Sequence, residues 1–145
     1  MMRYCVDASV FVASISPFEI SHEQSRRFVD EWELHKGALV CPEITLVEVA
    51  AAVARATREE QRGLGAAAYL KRAPGFQFIP FGSQYIARAV ERAAHFRLRA
   101  ADACYVTLAM RYRIPVVTLD REILRVAEQT GEFRAITPHQ ALDGS

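Results

Sequence analysis

The sequence contains little lysine, few cysteines and no long apolar segment. Only Lys36 and Lys71 are lysines, and the formal net charge of the 145-residue chain is +1. A balanced charge provides no overall basic field to attract nucleic acid, although the arginine guanidinium suits phosphate and carboxylate partners. No apolar run approaches the roughly 18–20 residues that a membrane span requires, so we expect no membrane association.

The cysteines and histidines exclude a disulfide framework and a zinc site. Cys5, Cys41 and Cys104 are odd in number, far apart and without a C-x-x-C pair, which is typical of a reduced, cytoplasmic protein. The four histidines are scattered and lack the spacing of zinc ligands. Glycine-rich phosphate loops of the two standard types are also absent. The chemistry of this chain must therefore depend on other side chains.

Apolar runs and helix signals alternate along the chain. Strand candidates are residues 4–6, 38–41, 76–79, 116–119 and 133–136. Helix candidates are residues 9–15, 21–35, 43–57, 58–72, 83–96, 101–112 and 120–130. This alternation predicts right-handed βαβ units around a mostly parallel sheet. We therefore predict a single domain over residues 1–145 with a three-layer α/β/α fold.

Proline, glycine and serine residues define several of the predicted boundaries. Pro42 is expected in the first turn of the third helix, where its missing N–H costs nothing. Gly37 and Gly131 are expected to end the second and last helices. Ser83 is expected to cap the helix that begins there.

Four acidic side chains occupy notable positions in this pattern. Asp7 and Asp120 directly follow strands, and parallel sheets bind ligands beyond the carboxyl ends of their strands. Glu48 is an acidic residue within a largely apolar predicted helix. Burying a carboxylate there costs free energy unless the carboxylate is paired. Asp102 lies near the start of another apolar helix, whose preceding loop arrives from the same side. We predict that all four side chains meet at one edge of the sheet.

Each acidic residue also has a structural explanation. Asp7 and Asp120 are good candidates for helix N-caps, and the helix dipole favours Asp102 in a first turn. Glu48 could pair with an arginine of another element. However, four clustered carboxylates repel one another unless a cation neutralises them, and hard oxygen ligands suit Mg²⁺ or Mn²⁺. Their combination therefore favours a metal site.

At these residues the sequence resembles a PIN domain, the ribonuclease fold of VapC-type toxins in prokaryotic toxin–antitoxin pairs. The resemblance rests on V-D-A-S-V, P-E-I-T-L-V-E-V, L-R-A-A-D-A-C-Y-V-T-L-A and I-P-V-V-T-L-D-R-E-I, which span nearly the whole chain. The family carries an acidic residue in each segment. Here these residues are Asp7, Glu48, Asp102 and Asp120. The resemblance implies a five-stranded parallel sheet and RNA cleavage that depends on Mg²⁺ or Mn²⁺.

The resemblance also implies partners and supporting residues. A toxin of this family implies a homodimer and a cognate antitoxin whose tail occupies the active site. Thr118 and Ser9 are expected to support the site by hydrogen bonding, although Ser9 could equally cap the first helix. The alternative is an RNA-binding or RNA-processing module of the same fold without a toxin role.

The expected reaction is hydrolysis of an RNA phosphodiester by water that one or two metal ions activate. Asp7, Glu48 and Asp102 are the first choice as ligands. Asp120 then completes the site or holds a second ion. Candidate contacts to RNA phosphates are Arg55, Arg58, Arg62, Arg97 and Arg99, for which ordinary solvated arginines are the alternative. Because the nucleophile is water rather than the ribose 2′-hydroxyl, the products should carry a 5′-phosphate.

Two other classes of protein are considered, because an early aspartate is also part of their pattern. Hydrolases of the haloacid-dehalogenase type need a second aspartate two residues later, where this chain has Ser9, and a late lysine. Receiver domains of response regulators need paired early acids and the same lysine. No lysine follows Lys71, which disfavours both classes. A non-enzymatic binding module, in which the acids serve as caps and salt bridges, is the other rival.

Overall fold

A computed structural model describes residues 2–144 of the chain. The strands are β1 Tyr4–Val6, β2 Leu39–Pro42, β3 Phe76–Ile79, β4 Val116–Val117 and β5 Ala135–Ile136. The helices are α1 Ala8–Ile15, α2 His22–Trp32, α3 Ile44–Thr57, α4 Glu60–Arg72, α5 Ser83–Phe96, α6 Ala100–Tyr112, α7 Arg121–Thr130 and α8 Pro138–Leu142. The predicted alternation of strands and helices is confirmed, and α8 is an addition to it. Within residues 2–144, every helix is too short or too polar to span a bilayer.

The strands form one parallel sheet in the order β3-β2-β1-β4-β5. Tyr4 of β1 pairs with Leu39 of β2, and Cys5 of β1 pairs with Val116 of β4. In chain order, β2 and β3 lie on one side of β1, and β4 and β5 then lie on its other side, so the strand order reverses between β1 and β4. In open α/β sheets, ligands bind beyond the carboxyl ends of the strands at such a point. The fold therefore directs attention to the crevice beyond β1 and β4.

Apolar side chains cover both faces of the sheet. Cys5, Val40 and Val116 belong to a core shared with α5, α6 and α7. Tyr4 and Val6, which point the other way from β1, belong to a core shared with α1, α2 and α3. Strands that are buried on both faces lose the polar alternation of a half-exposed sheet, which explains the continuous apolar runs in the sequence. The predicted three-layer α/β/α fold is confirmed.

The prediction for Pro42 was wrong. This residue ends β2, in register with Ile79 of β3, and α3 begins only at Ile44. The backbone amide of Leu39 donates to Gly75, just before β3, and that of Glu43 donates to Ile79 of β3, so the nitrogen of Pro42 faces the side of β1. Pairing with β1 stops at Val40. A strand tolerates proline there because no ladder hydrogen bond is lost.

Several other predicted boundaries were also wrong. Helix α2 ends at Trp32, and Gly37, with φ of +72°, lies in the turn before β2. The bounds predicted for α5 are correct, Ser83–Phe96, but Ser83 is its first residue rather than its cap, and its side chain makes no capping bond to the helix. Strands β4 and β5 have two residues each and are therefore shorter than predicted. By contrast, Gly131 ends α7 in the left-handed conformation, as expected.

Candidate functional site

The four predicted acidic residues line one cavity of about 730 Å³ beyond the carboxyl ends of β1 and β4. Each reaches it from a different element. Asp7 and Asp120 are the N-cap residues of α1 and α7, and Asp102 lies in the first turn of α6. Glu48 comes from the second turn of α3. The structure therefore brings together four side chains that are separated by up to 113 residues in sequence.

Two hydroxyl groups hold the carboxylate of Asp7. Thr118 Oγ1 donates to Asp7 Oδ2 at 2.6 Å, and Ser9 Oγ donates to the same oxygen at 2.9 Å. The Ser9 hydroxyl also accepts from the backbone N–H of Leu119 at 3.2 Å, which ties α1 to the segment after β4. The N-cap of α1 is Asp7 rather than Ser9. Ser9 and Thr118 thus orient a carboxylate of the cavity.

Glu48 is oriented by a buried tyrosine of α6. Tyr105 is fully buried in α6, and its hydroxyl donates to Glu48 Oε1 at 2.6 Å. The hydroxyl oxygen of Tyr105 in turn accepts from the backbone N–H of Ala8 at 3.2 Å. Tyr105 therefore links α1, α3 and α6 directly behind Glu48, outside the cavity lining itself. Its position three residues after Asp102, on the same face of a helix, was the available sequence signal.

Arg99 joins the remaining two acids. Its Nε donates to Asp102 Oδ2 at 2.9 Å, and its Nη2 donates to Asp120 Oδ2. The other oxygen of Asp120 caps α7 by accepting from the backbone N–H groups of Glu122 and Ile123 at 2.8 and 3.3 Å. Asp120 therefore caps α7, which was the structural explanation considered from the sequence, and also lines the cavity.

Burial and mutual repulsion disfavour the ionised forms of three of these acids. Burial raises the pKa of Asp7, against the hydrogen bonds from Thr118 and Ser9. Burial and the charges of Asp7 and Asp102 raise the pKa of Glu48. Burial and the charge of Asp120 raise the pKa of Asp102, and Arg99 partly offsets this. The carboxylates are thus close enough to repel one another, as expected of a site that a cation would stabilise.

The donor set suits a hard divalent cation. The charged residues that line the cavity comprise five acids and two bases. They are Asp7, Glu19, Glu48, Asp102, Asp120, Arg55 and Arg99. Within residues 2–144, no three His, Cys, Asp or Glu side chains are arranged as a preformed metal-binding group. Carboxylate oxygens in an acidic cavity are nevertheless the ligands that Mg²⁺ and Mn²⁺ prefer, so the residues present fit such an ion.

The predicted RNA-binding arginines fall into two groups. Arg55 and Arg99 line the cavity. Arg58 and Arg97 lie outside its lining, exposed in left-handed conformations at the ends of α3 and α5. Arg62 pairs with Glu59 at 2.8 Å on the surface of α4. Geometry therefore favours Arg55 and Arg99 as the arginines closest to any substrate in this cavity.

Comparisons with solved structures find proteins of the same fold. PAE2754 from Pyrobaculum aerophilum is 23% identical, with 98% of this chain and 93% of that chain covered and a TM-score of 0.69. VapC20 of Mycobacterium tuberculosis, described as a toxin that cleaves the sarcin-ricin loop, is 17% identical, with coverages of 84% and 93% and a TM-score of 0.69. A toxin–antitoxin complex from Klebsiella pneumoniae contains a chain that is 18% identical, with coverages of 93% and 97% and a TM-score of 0.65. At these identities the similarity shows the fold alone.

A comparison with curated protein sequences gives no match. The family model of the PIN domain, in contrast, matches residues 4–129. This range contains every strand except β5 and all four acids of the cavity. The resemblance seen in the sequence is thereby confirmed, and the chain belongs to the PIN domain family.

Proposed function

We propose that this PIN domain is an endoribonuclease that depends on Mg²⁺ or Mn²⁺ and hydrolyses RNA phosphodiesters with water as the nucleophile. The observation that carries the proposal is the convergence of four carboxylates from separate elements on one cavity. Independent caps and salt bridges do not require such a convergence. A cation-dependent reaction does, because a bound divalent cation offsets the repulsion that this convergence creates.

Asp7, Glu48 and Asp102 are the proposed metal ligands, and Asp120 completes the set. When bound, the divalent ion supplies a more acidic water and stabilises negative charge on the phosphate. The hydroxyls of Thr118 and Tyr105 hold the carboxylates of Asp7 and Glu48 in place, at 2.6 Å in each case. Fixed ligands lower the cost of assembling the site, which is the usual function of groups behind the metal ligands.

Arg55 and Arg99 are the proposed contacts to RNA phosphates, because both line the acidic cavity. A cavity lined mainly by acids repels a polyanion unless guanidinium groups or a metal ion offset the charge. Arg58 and Arg97 would then serve only as peripheral contacts to a longer RNA.

We further propose that the protein is the toxin of a toxin–antitoxin pair, acting in the cytoplasm. The neighbours from Klebsiella pneumoniae and Mycobacterium tuberculosis, which are described as a toxin–antitoxin complex and a toxin, support this proposal. A cognate antitoxin is the proposed partner, and three unpaired, buried thiols suit a reducing compartment. A homodimer is also proposed, and the exposed Ile86 and Val90 on α5 offer apolar surface for a contact.

The decisive experiment is induced expression of the wild type and of Asp7→Asn, together with RNA cleavage by the purified proteins. The wild type should arrest growth and cleave RNA only with Mg²⁺ or Mn²⁺, and Asp7→Asn should do neither. Asp30→Asn is the matched control, because Asp30 is an exposed acid that pairs with Arg26 on α2. This control should behave as the wild type.

Three results would contradict parts of the proposal. Equal growth arrest by the wild type and Asp7→Asn would exclude catalysis through Asp7. A 2′,3′-cyclic phosphate on the products would exclude water as the nucleophile. A folded wild type that binds RNA without any metal-stimulated cleavage would favour the binding-module alternative.

A further inference from the structure

Arg99 occupies one carboxylate oxygen on each of two proposed metal ligands, Asp102 and Asp120. On Asp120, Oδ1 caps α7, which leaves Oδ2 as the oxygen available to another group, and Arg99 Nη2 donates to it. On Asp102, Arg99 Nε donates to Oδ2 at 2.9 Å. The guanidinium therefore stands where a cation shared by these two acids would stand.

The side chain of Arg99 is far more exposed, and therefore freer to move, than those of the two acids it contacts. The side chain of Asp102 is only 10% exposed and that of Asp120 only 22%, whereas the side chain of Arg99 is 70% exposed. The backbone of Arg99 is held by its carbonyl, which accepts from the N–H of Ala103 at 2.9 Å. Rotation of the side chain alone would thus return the guanidinium to water, while the acids stay in place.

We infer, on the basis of the proposed function, that Arg99 is the resident counter-ion of this cavity and that a divalent ion displaces it from Asp102 and Asp120. In the metal-free protein the guanidinium neutralises the two acids and keeps them side by side. Metal binding releases it toward the mouth of the cavity, where it becomes available to an RNA phosphate. Arg99 is in this sense a positioning residue. Its partners are Asp102 and Asp120 without metal and an RNA phosphate with metal.

The test is a titration of the full chain with Mn²⁺, without RNA and at fixed ionic strength, by calorimetry or by the electron paramagnetic resonance of free Mn²⁺. Arg99→Gln removes the competitor, so Mn²⁺ should bind roughly threefold to tenfold more tightly than in the wild type. Arg99→Lys should be intermediate, because one ammonium cannot span two carboxylates as a guanidinium does. Mn²⁺ should also raise the Tm of Arg99→Gln more than that of the wild type.

The matched control is Arg97→Gln, which removes the same charge two residues earlier. Arg97 is exposed and lies outside the cavity lining, so its loss should leave Mn²⁺ affinity nearly unchanged. Equal tightening in both variants would overturn the inference, since it would reflect only the overall charge. Weaker binding by Arg99→Gln would also overturn it, because Arg99 would then support the ligands.

Failure of the inference is distinguishable from failure of the proposed function. A wild type that binds Mn²⁺ and cleaves RNA, with no change of affinity in Arg99→Gln, would overturn only the role of Arg99. A folded wild type and a folded Arg99→Gln that both fail to bind Mn²⁺ would overturn the metal site and, with it, the displacement of Arg99.

Discussion

At the scale of single residues, the hydroxyl of Tyr105 connects stability with the candidate site. It satisfies the buried N–H of Ala8 and donates to Glu48 at the cavity wall. Tyr105→Phe should cost about 1–2 kcal/mol of unfolding free energy, because the amide of Ala8 loses its partner. It should also lower RNA cleavage roughly 10- to 100-fold, since Glu48 is no longer held in place. Urea denaturation and cleavage rates at saturating metal measure the two effects.

Tyr85 offers a matched control for this prediction. Its hydroxyl is also buried and donates to the backbone carbonyl of Cys104 at 2.6 Å, but Cys104, unlike Glu48, does not line the cavity. Tyr85→Phe should therefore lose stability of a similar order and keep wild-type cleavage rates. A similar loss of cleavage in both variants would mean that Tyr105 acts only through stability.

At the scale of elements, the packing of α4 against α3 requires a glycine at one position and not at another. A Cβ on Gly63 would lie 2.5 Å from the carbonyl oxygen of Ala50 and 3.0 Å from the Cβ of Ala54, both on α3. A Cβ on Gly65 would meet nothing within 4 Å. In terms of helix propensity the two glycines are equivalent, since each is unfavourable in a helix interior. The structure shows that Gly63 allows close approach to the helix that carries Glu48.

These two glycines predict opposite effects of the same substitution. Gly63→Ala should destabilise the protein by roughly 1–3 kcal/mol, because backbone atoms of α3 must move. Gly65→Ala should stabilise it by about 0.5–1 kcal/mol through helix propensity alone. Thermal and urea unfolding of the two variants measure the difference. Stabilisation by both substitutions would show that α3 and α4 are less tightly packed than described.

The last helix shows a sequence signal that could have been used. Thr137 caps α8 by accepting from the N–H of Gln140, the Gln140 side chain returns a bond to the Thr137 N–H, and Pro138 follows the cap. Threonine, proline at the first helical position and glutamine three residues after the cap form a capping box. Short helices of this kind are predictable from such caps rather than from apolar periodicity.

At the scale of the whole molecule, the central strands place cysteine thiols in the cores on the two faces of the sheet. Cys5 and Cys41 are fully buried, and burial raises the pKa of Cys41 to about 12 from its ordinary value of 9.0. The unfolded chain then loses this proton at a lower pH than the folded chain. Because the unfolded state binds fewer protons above pH 9, the free energy of unfolding must fall as the pH rises through that range.

This linkage predicts that the Cys41 thiol removes about 2 kcal/mol of stability between pH 8 and pH 10.5. Urea denaturation of the wild type and Cys41→Ala at both pH values, under reducing conditions, measures it. Cys41→Ala should start from a lower stability, because a cavity replaces the thiol, but should lose about 2 kcal/mol less on alkalinisation. The same loss in both proteins would show that other groups, such as buried tyrosines, account for the whole effect.

Features that depend only on residues close together in the sequence could be predicted from it. Strands β1 and β2 are buried on both faces. Their continuous apolar runs indicate this burial in the sequence, without knowledge of the other strands. The positions of Asp7 and Asp120 after strands were equally visible, and parallel strands place such residues at a common edge. Pro42 was wrongly assigned to a helix. A strand tolerates proline where its nitrogen faces no paired strand, and that depends on where the pairing of β2 with β1 stops.

By itself, therefore, the sequence determined the α/β class, the parallel sheet and the four acids that line the cavity. Only the tertiary structure decided what each acid contacts: Thr118 and Ser9 for Asp7, and Tyr105 for Glu48. It also placed Arg99 between Asp102 and Asp120. The physical reason is that periodicity and capping depend on residues within a few positions of one another, whereas hydrogen bonds across 57 or 111 residues exist only once the layers have packed.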